Sequence, residues 1–278
     1  MTSARPRDGS PRAARPVPVG TAALRRLRAE APAAFVESVL DRLGLHAGDR
    51  FVVMAGPAGD VFVAFNDSGI SAVVPAARFD GDAARFAEHH RRTAGRAVAA
   101  AARPPAGLEA ALRTGRARRL RYDLSGLSPF ERAVLTKTLE IPPGEVRPYG
   151  WVAREIGRPR AVRAVGSALG RNPVPVLIPC HRVVRSDGHV GQYGFGVSMK
   201  RALLSAEGVD LERLQRLADA GVRFIGSDST GVFCVPSCHH ARRIRPAHEV
   251  PFRSAAAAFV AGFRPCAHCA PASGRNAS

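Results

Sequence analysis

The residues best suited to covalent chemistry stand together at positions 179–182, in the order Pro-Cys-His-Arg. The apolar run at 176–178 directly before them indicates a buried segment. Because proline fixes its φ at about −65°, the chain is expected to hold Cys180 in place. A free thiol titrates at about 8.5, and a nearby histidine or cation lowers that pKa. Cys180 is therefore a candidate nucleophile. The alternative is a small buried hydrophobic residue, which a lone cysteine after an apolar run more often is.

The other four cysteines form two short pairs, one C-x3-C and one C-x2-C. This spacing is typical of metal ligands and not of a disulfide framework, and four thiolates form the tetrahedral structural zinc set. The sequence predicts one bound zinc ion, with the ligands Cys234, Cys238, Cys266 and Cys269. Because these cysteines already complete a tetrahedron, no ligand role is predicted for the nearby histidines His239, His240, His248 and His268.

The composition favours a nucleic-acid partner. The 278-residue chain has 41 basic residues against 23 acidic ones, a formal net charge of +18, and all the basic residues except Lys137 and Lys200 are arginine. The planar arginine fork binds phosphate oxygens in a bidentate manner, and a strong positive charge attracts nucleic acid. Genomic bias is the alternative explanation, since the chain is also rich in alanine, glycine and proline.

No targeting or membrane segment is evident in the sequence. The N-terminus lacks the apolar core of a signal peptide, and no apolar run approaches the roughly 20 residues of a membrane span. Cysteine spacing of the metal-binding type fits a reducing compartment. We therefore expect a cytoplasmic protein without a membrane partner.

The first half of the chain is predicted to be a scaffold. Residues 1–22 mix Arg, Pro, Ser and Gly without periodicity, which predicts a disordered basic arm. Residues 32–124 are predicted to form an α/β domain. Its strands are expected at 51–54, 61–65, 70–74 and 120–122, and its helices at about 82–101 and 108–113. We predict no carboxylate pair or metal cluster in this domain and expect its adjacent histidines, His89 and His90, on the surface.

The second half contains signals for DNA recognition. Ser128, Pro129 and Glu131 form a capping box for a helix, and two short helices at 151–156 and 160–169 resemble a helix-turn-helix. Arg163 lies on the second of these beside the small residues of 166–170, a face that favours docking into a DNA groove. Packing against another helix is the alternative. Beyond a glycine-rich loop, Ser198 is predicted to cap a helix, and a linker follows at 209–222.

The motif around Cys180 resembles a known family. Pro-Cys-His-Arg-Val at 179–183, preceded by Asn172-Pro173 and followed by Gly191 and Tyr193, is similar to the O6-alkylguanine-DNA alkyltransferases. The resemblance implies an α+β fold with a ribonuclease-H-like N-terminal domain at 32–124 and a winged-helix-like DNA-binding and methyl-acceptor domain at 125–208. It implies double-stranded DNA with alkylated guanine as the partner, and we expect a monomer.

The same resemblance assigns catalytic roles. Cys180 accepts the alkyl group, His181 acts as its base through a bridging water, and Glu207 orients that histidine. Asn172 braces the turn, and Tyr149 lines the guanine pocket. A Cys-His hydrolase fits poorly, because adjacent residues seldom direct their side chains at one point.

DNA contacts are implied as well. Arg163 is expected to fill the gap left by the extruded base, and Tyr193 to pack in the active-site loop. Arg182 and Arg264 complete the predicted DNA-binding set.

Residues 230–238 and 262–266 resemble the metal-binding domain of Ada, which implies a zinc-binding domain at 223–278. In that family the first cysteine, here Cys234, removes methyl from a methylphosphotriester. Four thiolates on one zinc carry 2 − 4 = −2, a charge that repels ordinary phosphodiesters but not a neutral triester. The predicted function is single-turnover DNA repair by methyl transfer. The alternative is a lesion-binding or alkylation-responsive regulatory protein in which the zinc domain is only structural.

Overall fold

The computed structural model describes residues 48–271. The predicted basic arm and the first residues of the predicted scaffold domain lie outside the described residues. The described chain mixes helices and strands in three successive groups, which agrees with the predicted α+β class. Among residues 48–271, no helix is both long and apolar enough to cross a bilayer.

The first group is a four-stranded sheet with one face covered by a helix. Its elements are β1 (Asp49–Met54), β2 (Val61–Asn66), β3 (Gly69–Pro75), α1 (Ala83–Ala94), β4 (Val98–Ala100) and α2 (Leu108–Thr114). The strand order is β3-β2-β1-β4, with β4 parallel to β1 and the other pairs antiparallel. Phe62 of β2 stacks on Phe86 of α1 at 4.5 Å between ring centroids. This buried aromatic pair fixes the helix on the sheet.

The predicted helix at about 82–101 was too long. Gly95 adopts φ +69°, and its N–H donates to the carbonyl of Arg91, which ends α1. Glycine tolerates this left-handed conformation without steric cost, and the chain then enters β4. The strand expected at 120–122 is reduced to one bridge between Ile70 and Tyr122.

A buried polar network corrects two further expectations for this domain. His90 is only 2% exposed, and its Nε2 lies 2.9 Å from Asp49 Oδ2, so its predicted surface position was wrong. Asp49 also accepts a hydrogen bond from Ser71, and Asn66 donates to both Asp49 and Asp123. Although burial opposes ionisation, these hydrogen bonds lower the pKa of Asp49 to about 2. Two carboxylates therefore lie close together where none were expected.

The second group is helical and carries the motif at 179–183. It comprises α3 (Pro129–Thr138), β5 (Arg147–Pro148), α4 (Tyr149–Glu155), α5 (Val162–Gly170), β6 (Val183–Val184) and α6 (Val197–Ala206). The capping box is present: the Ser128 side chain accepts from the Glu131 N–H, and Glu131 accepts from the Ser128 N–H. Helix α6 begins two residues earlier than expected, with Gly196 and not Ser198 at its N-cap.

The third group follows the linking helix α7 (Leu211–Asp219), which Asp210 caps. Its elements are β7 (Phe224–Ser227), β8 (Val232–Cys234), β9 (Glu249–Phe252), α8 (Ala255–Val260) and β10 (Arg264–Pro265). The sheet order is β10-β8-β7-β9. Two small apolar clusters, one containing all four paired cysteines, form its interior. We call residues 223–271 the metal module below.

Candidate active site and metal centre

Two consecutive tight turns present Cys180. The Leu177 N–H donates to the Pro175 carbonyl at 2.9 Å around Val176, whose φ is +71°. The Cys180 N–H donates to the Ile178 carbonyl at 2.8 Å around Pro179. Both are γ-turns, and the first has the rare positive φ. A β-branched residue in that region costs about 1–3 kcal/mol, so the surrounding packing holds a strained backbone just before the thiol.

Asn172 braces this turn. Its side-chain oxygen accepts from the Val174 N–H at 3.0 Å, and its amide donates to the Ile178 carbonyl at 2.9 Å. The same amide lies 3.2 Å from Cys180 Sγ, as a donor to the sulfur. One side chain therefore fixes both the backbone of the turn and the direction of the thiol.

The thiol is enclosed. Cys180 is 7% exposed, and burial raises its pKa, although the Asn172 amide, Tyr193 and Lys200 favour the thiolate. Burial raises the pKa of Tyr149 and of Tyr193, and the neighbouring Cys180 raises both further. Cys180 is thus a protonated thiol at neutral pH, with two phenol hydroxyls near it that also keep their protons.

Lys200 is a functional candidate that the sequence analysis missed. It is fully buried, and its Nζ donates to the Val183 carbonyl at 2.6 Å and to the Gln192 carbonyl at 3.4 Å. Burial lowers its pKa to about 8, against the opposing effect of Cys180. A signal existed in the sequence: one of only two lysines among 41 basic residues stands here. Its ammonium group favours negative charge on the sulfur.

His181 is held by Glu207 in the arrangement that the family resemblance implied. Its Nε2 lies 2.9 Å from Glu207 Oε1, and its buried Nδ1 has no protein partner among the described residues. Burial lowers the pKa of His181, so the ring is neutral at pH 7 despite the nearby carboxylate. Because Nε2–H donates to the Glu207 carboxylate, the proton of the neutral ring is on Nε2 and the lone pair is on Nδ1. The ring can therefore accept a proton on Nδ1.

Arg182 does not face DNA, and its predicted DNA contact was wrong. It is 2% exposed and donates to both oxygens of Glu207, to the Ile141 carbonyl at 2.6 Å and to the Gly115 carbonyl at 2.8 Å. Although burial opposes ionisation, the hydrogen bonds from His181 and Arg182 lower the pKa of Glu207 to about 2. Arg182 thus keeps the carboxylate charged behind the histidine.

These shifts predict that acid destabilises the protein. Glu207 has a pKa of about 2 in place of 4.5, so its stabilisation is complete above about pH 4.5 and disappears as the pH falls through 2. His181 has a lowered pKa, so its neutral form stabilises the fold above about pH 6.5, and this contribution is lost on acidification. From Glu207 alone, we expect the free energy of unfolding to fall by about 2 kcal/mol between pH 6.5 and 3, and protonation of His181 should lower it further.

Chemical denaturation at a series of pH values measures this effect. Glu207→Gln should be less stable at pH 7 but lose less on acidification than the parent chain. Glu212→Gln, a change at a carboxyl that is 89% exposed, is the matched control and should keep the parental slope. If the stability of all three proteins depended on pH in the same way, Glu207 would not be the source of the acid destabilisation.

Arg163 lies on an exposed helix face next to this site. It is exposed on α5 together with Ser167 and Gly170. A methyl group added at Gly166 would contact the Tyr149 ring at 3.9 Å, so this face borders the tyrosine beside Cys180. Among the described residues, this face of α5 is therefore open at Arg163, Ser167 and Gly170.

The four paired cysteines converge in the metal module. All four are buried, and their sulfur atoms lie within 4.8 Å of one another. Cys234 is the last residue of β8, and Cys266 directly follows β10. Cys238 lies at the end of a turn in which its N–H donates to the Val235 carbonyl. The Cys266 N–H donates to the Phe233 carbonyl. Four converging thiols are the donor set that structural zinc requires. The residues therefore fit the ion.

A basic cavity opens beside Cys234. It has a volume of about 680 Å³, and Arg264, predicted from the sequence to contact DNA, lines it. Two exposed arginines that the sequence analysis did not include, Arg243 and Arg245, also line it. Cys234 and Arg264 thus line one cavity. Asn172, Tyr149 and Tyr193 lie near Cys180, and Glu207 contacts His181, the next residue in the chain.

The metal module docks on the helical group through Glu145, which the sequence analysis also missed. Glu145 is 2% exposed and accepts hydrogen bonds from the His239 N–H at 3.0 Å and from Arg147 at 2.6 Å. Val146 and Ser237 exchange two hydrogen bonds at 2.9 and 3.1 Å. The neighbouring Gly144 N–H donates to Glu207 at 3.4 Å, so this contact continues to the carboxylate behind His181.

Comparison with known proteins agrees with both motifs. Residues 129–209 match the family model of the 6-O-methylguanine DNA methyltransferase DNA-binding domain, and residues 214–272 match that of the metal-binding domain of Ada. The first matched region includes Cys180, and the second includes the four paired cysteines.

Named relatives match about a third of the chain. A methylated-DNA–protein-cysteine methyltransferase of Mycobacterium bovis is 48% identical over 85 residues, 31% of this chain and 51% of the relative. The corresponding protein of Rattus norvegicus is 47% identical over 100 residues, 35% of this chain and 46% of the relative. The chain thus spans about half the length of the curated relatives it matches. Among solved structures, the chain is similar to the crystal structure of Mycobacterium tuberculosis OGT in complex with DNA, with 28% sequence identity and a TM-score of 0.45. The similarity covers 59% of this chain and 98% of the OGT chain.

Proposed function

We propose that this protein repairs DNA by transferring the alkyl group of O6-alkylguanine irreversibly to Cys180. The observation that carries the proposal is the arrangement of the thiol. Asn172 orients the sulfur, and the adjacent His181 keeps Nδ1 free while Glu207 holds Nε2. The match to a methyltransferase DNA-binding domain over 129–209 supports the same chemistry.

The substrate base must leave the helix before it can react. The O6 atom of guanine is paired inside the duplex, and extrusion of a base costs a few kcal/mol, less for a badly paired lesion. Arg163, exposed on α5 beside Tyr149, enters the stack and fills the gap. Tyr149 then faces the extruded guanine next to the thiol.

The transfer step uses the residues around Cys180. A bridging water carries the thiol proton to His181 Nδ1, and the Lys200 ammonium stabilises the developing thiolate. The sulfur attacks the alkyl carbon, the new S–C bond forms as the C–O6 bond breaks, and the bonding electrons leave with guanine. The Tyr149 hydroxyl donates a hydrogen bond to the departing base. The raised pKa of Tyr149 keeps this hydroxyl protonated, so that it can donate. The thioether has no hydrolysable bond, so each chain acts once.

Cys234 is proposed as a second acceptor, for methyl from DNA methylphosphotriesters. A single zinc ion bound by the four cysteines would keep them deprotonated at neutral pH. Arg264, Arg243 and Arg245 line the cavity next to Cys234 and are proposed to bind the phosphates that flank a neutral triester. A purely structural zinc module that assists DNA binding is the alternative for this site.

The remaining assignments belong to the same proposal. We infer a ribonuclease-H-like scaffold at 32–124, a winged-helix-like domain at 125–208, a linker at 209–222 and a zinc domain at 223–278. The protein is proposed to act as a cytoplasmic monomer on double-stranded DNA with alkylated guanine. A lesion-binding regulator without transfer is less favoured, because such a protein would not need an oriented thiol with a histidine base.

Two labelled substrates test both acceptor sites. The full chain is incubated with duplex DNA that carries an isotopic methyl either on guanine O6 or on one backbone phosphate, and the methylated peptides are mapped by mass spectrometry. We expect label from guanine on Cys180 and label from the phosphotriester on Cys234. Label on Cys180 alone would show that the metal module is not an acceptor, and label on neither would contradict the proposed function.

A further inference from the structure

A second group of metal-ligand side chains lies beside the four cysteines. It consists of Glu145, Cys238, His239 and His268, whose ligand atoms all lie within 4.8 Å of one another. Glu145 belongs to the loop before β5, whereas the other three belong to the metal module. The histidines are those for which the sequence suggested no role, since the cysteines alone complete a tetrahedron.

The distances within this group fit one small cation. Glu145 Oε1 lies 3.2 Å from His239 Nδ1 and 3.1 Å from His268 Nε2. Zinc–nitrogen and zinc–oxygen bonds of about 2.0–2.2 Å separate tetrahedral ligand atoms by about 3.3–3.6 Å. The separations are therefore close to those of two imidazoles and a carboxylate on the same ion.

The carboxylate is already oriented for such a role. Arg147 donates to Glu145 Oε2 at 2.6 Å, and the His239 N–H donates to Oε1 at 3.0 Å. Hydrogen bonds of this kind orient metal-bound carboxylates in proteins. They leave Oε1 facing the two imidazoles.

The burial and the ligand types of the group also point to a cation. Glu145 and Arg147 are each 2% exposed, so the carboxylate lies beside the two imidazoles away from solvent. A thiolate and two imidazoles in the same group favour zinc, because they are the ligands it prefers.

We propose that Glu145, Cys238, His239 and His268 form a second zinc site, in which the Cys238 sulfur bridges to the ion of the four-cysteine site. The inference rests on the proposed zinc of that site. Glu145 is the ligand supplied from outside the metal module, so the second ion fastens the module to the domain that carries Cys180. The His239 and His268 side chains are each 35% exposed, which gives the ion a route from solvent.

Zinc stoichiometry of the unmodified chain tests the proposal. The full chain is equilibrated with free zinc at a buffered concentration, and bound zinc is measured by elemental mass spectrometry against protein concentration. We expect two zinc ions per chain, with one released first as a chelator is titrated in. One zinc per chain would overturn the second site and leave the group as hydrogen-bonded imidazoles. No zinc at all would overturn the four-cysteine site as well.

Substitutions assign the second ion. We expect one zinc ion per chain in the double variant His239→Ala/His268→Ala and also in the single variant Glu145→Gln. The zinc that the chelator removes first from the parent chain should be absent from both. His248→Ala is the matched control, because His248 is an exposed histidine of the same module that pairs with Asp228, and it should retain two. Two zinc ions in both Glu145→Gln and the double variant would overturn the assignment. Methyl transfer to Cys180 is measured separately, so that failure of the repair function is distinguished from failure of the site.

Discussion

Replacement of Cys180 with serine is expected to abolish methyl transfer from guanine O6. We expect the rate to fall by more than about a thousandfold, which corresponds to at least about 4 kcal/mol of barrier. A hydroxyl is a much weaker nucleophile than a thiolate at the same pH. Lys200 and Asn172 favour negative charge on the sulfur, whereas a serine hydroxyl stays neutral at this pH and is not activated in this way. The rate is measured as the loss of O6-methylguanine from a duplex over time, determined by chromatography of the bases.

Serine is a useful substitute because it nearly preserves shape. The Asn172 amide can still donate to the new oxygen, so the turn at 174–180 and the affinity for DNA should stay close to those of the parent chain. Binding of an O6-methylguanine duplex by Cys180→Ser serves as the internal control. A variant that binds this DNA normally and still removes methyl at the parental rate would contradict the role of Cys180.

Substitution of Arg182 by methionine is expected to destabilise the fold strongly. The free energy of unfolding should fall by about 3–5 kcal/mol, because removal of one partner leaves a buried charge without compensation. Glu207 would lose its guanidinium, and the carbonyls of Ile141 and Gly115 would lose their donor. Methionine keeps much of the apolar volume, so the change reports mainly on charge and hydrogen bonds. Urea unfolding followed by circular dichroism measures the loss.

Arg185→Met is the matched control for Arg182→Met. Arg185 lies three residues away, is 63% exposed and pairs with Asp187 at the surface. Exposed ion pairs contribute about 0–1 kcal/mol, so this variant should unfold close to the parent chain. Equal stability losses in the two variants would show that the buried contacts of Arg182 contribute little.

Local sequence patterns were sufficient for much of the fold. Alternating and continuous apolar runs identified the strands at 51–54, 61–65 and 70–74, because pleat periodicity is a property of a few neighbouring residues. The capping box at Ser128 is equally local. The same reasoning extended helix α1 too far, because only the left-handed conformation of Gly95 separates the helix from β4.

Errors in the candidate site share a physical cause. The partners of Arg182 at Gly115 and Ile141 are 67 and 41 positions away in the sequence, so neighbouring residues gave no sign that this arginine is buried. His90 is likewise turned inward by Asp49, 41 positions away. Glu145 contacts His239 and His268 of the metal module, which are 94 and 123 positions away in the sequence. The convergence of the four paired cysteines was predictable, because their spacing forms short local motifs.

The central claim is that one sulfur takes one alkyl group from guanine and keeps it. The most direct test incubates purified full chain with a large excess of O6-methylguanine duplex and counts the methyl groups removed per chain over time. We predict a single phase that stops at one guanine methyl per chain. Continued removal of many methyl groups by each chain would contradict the account.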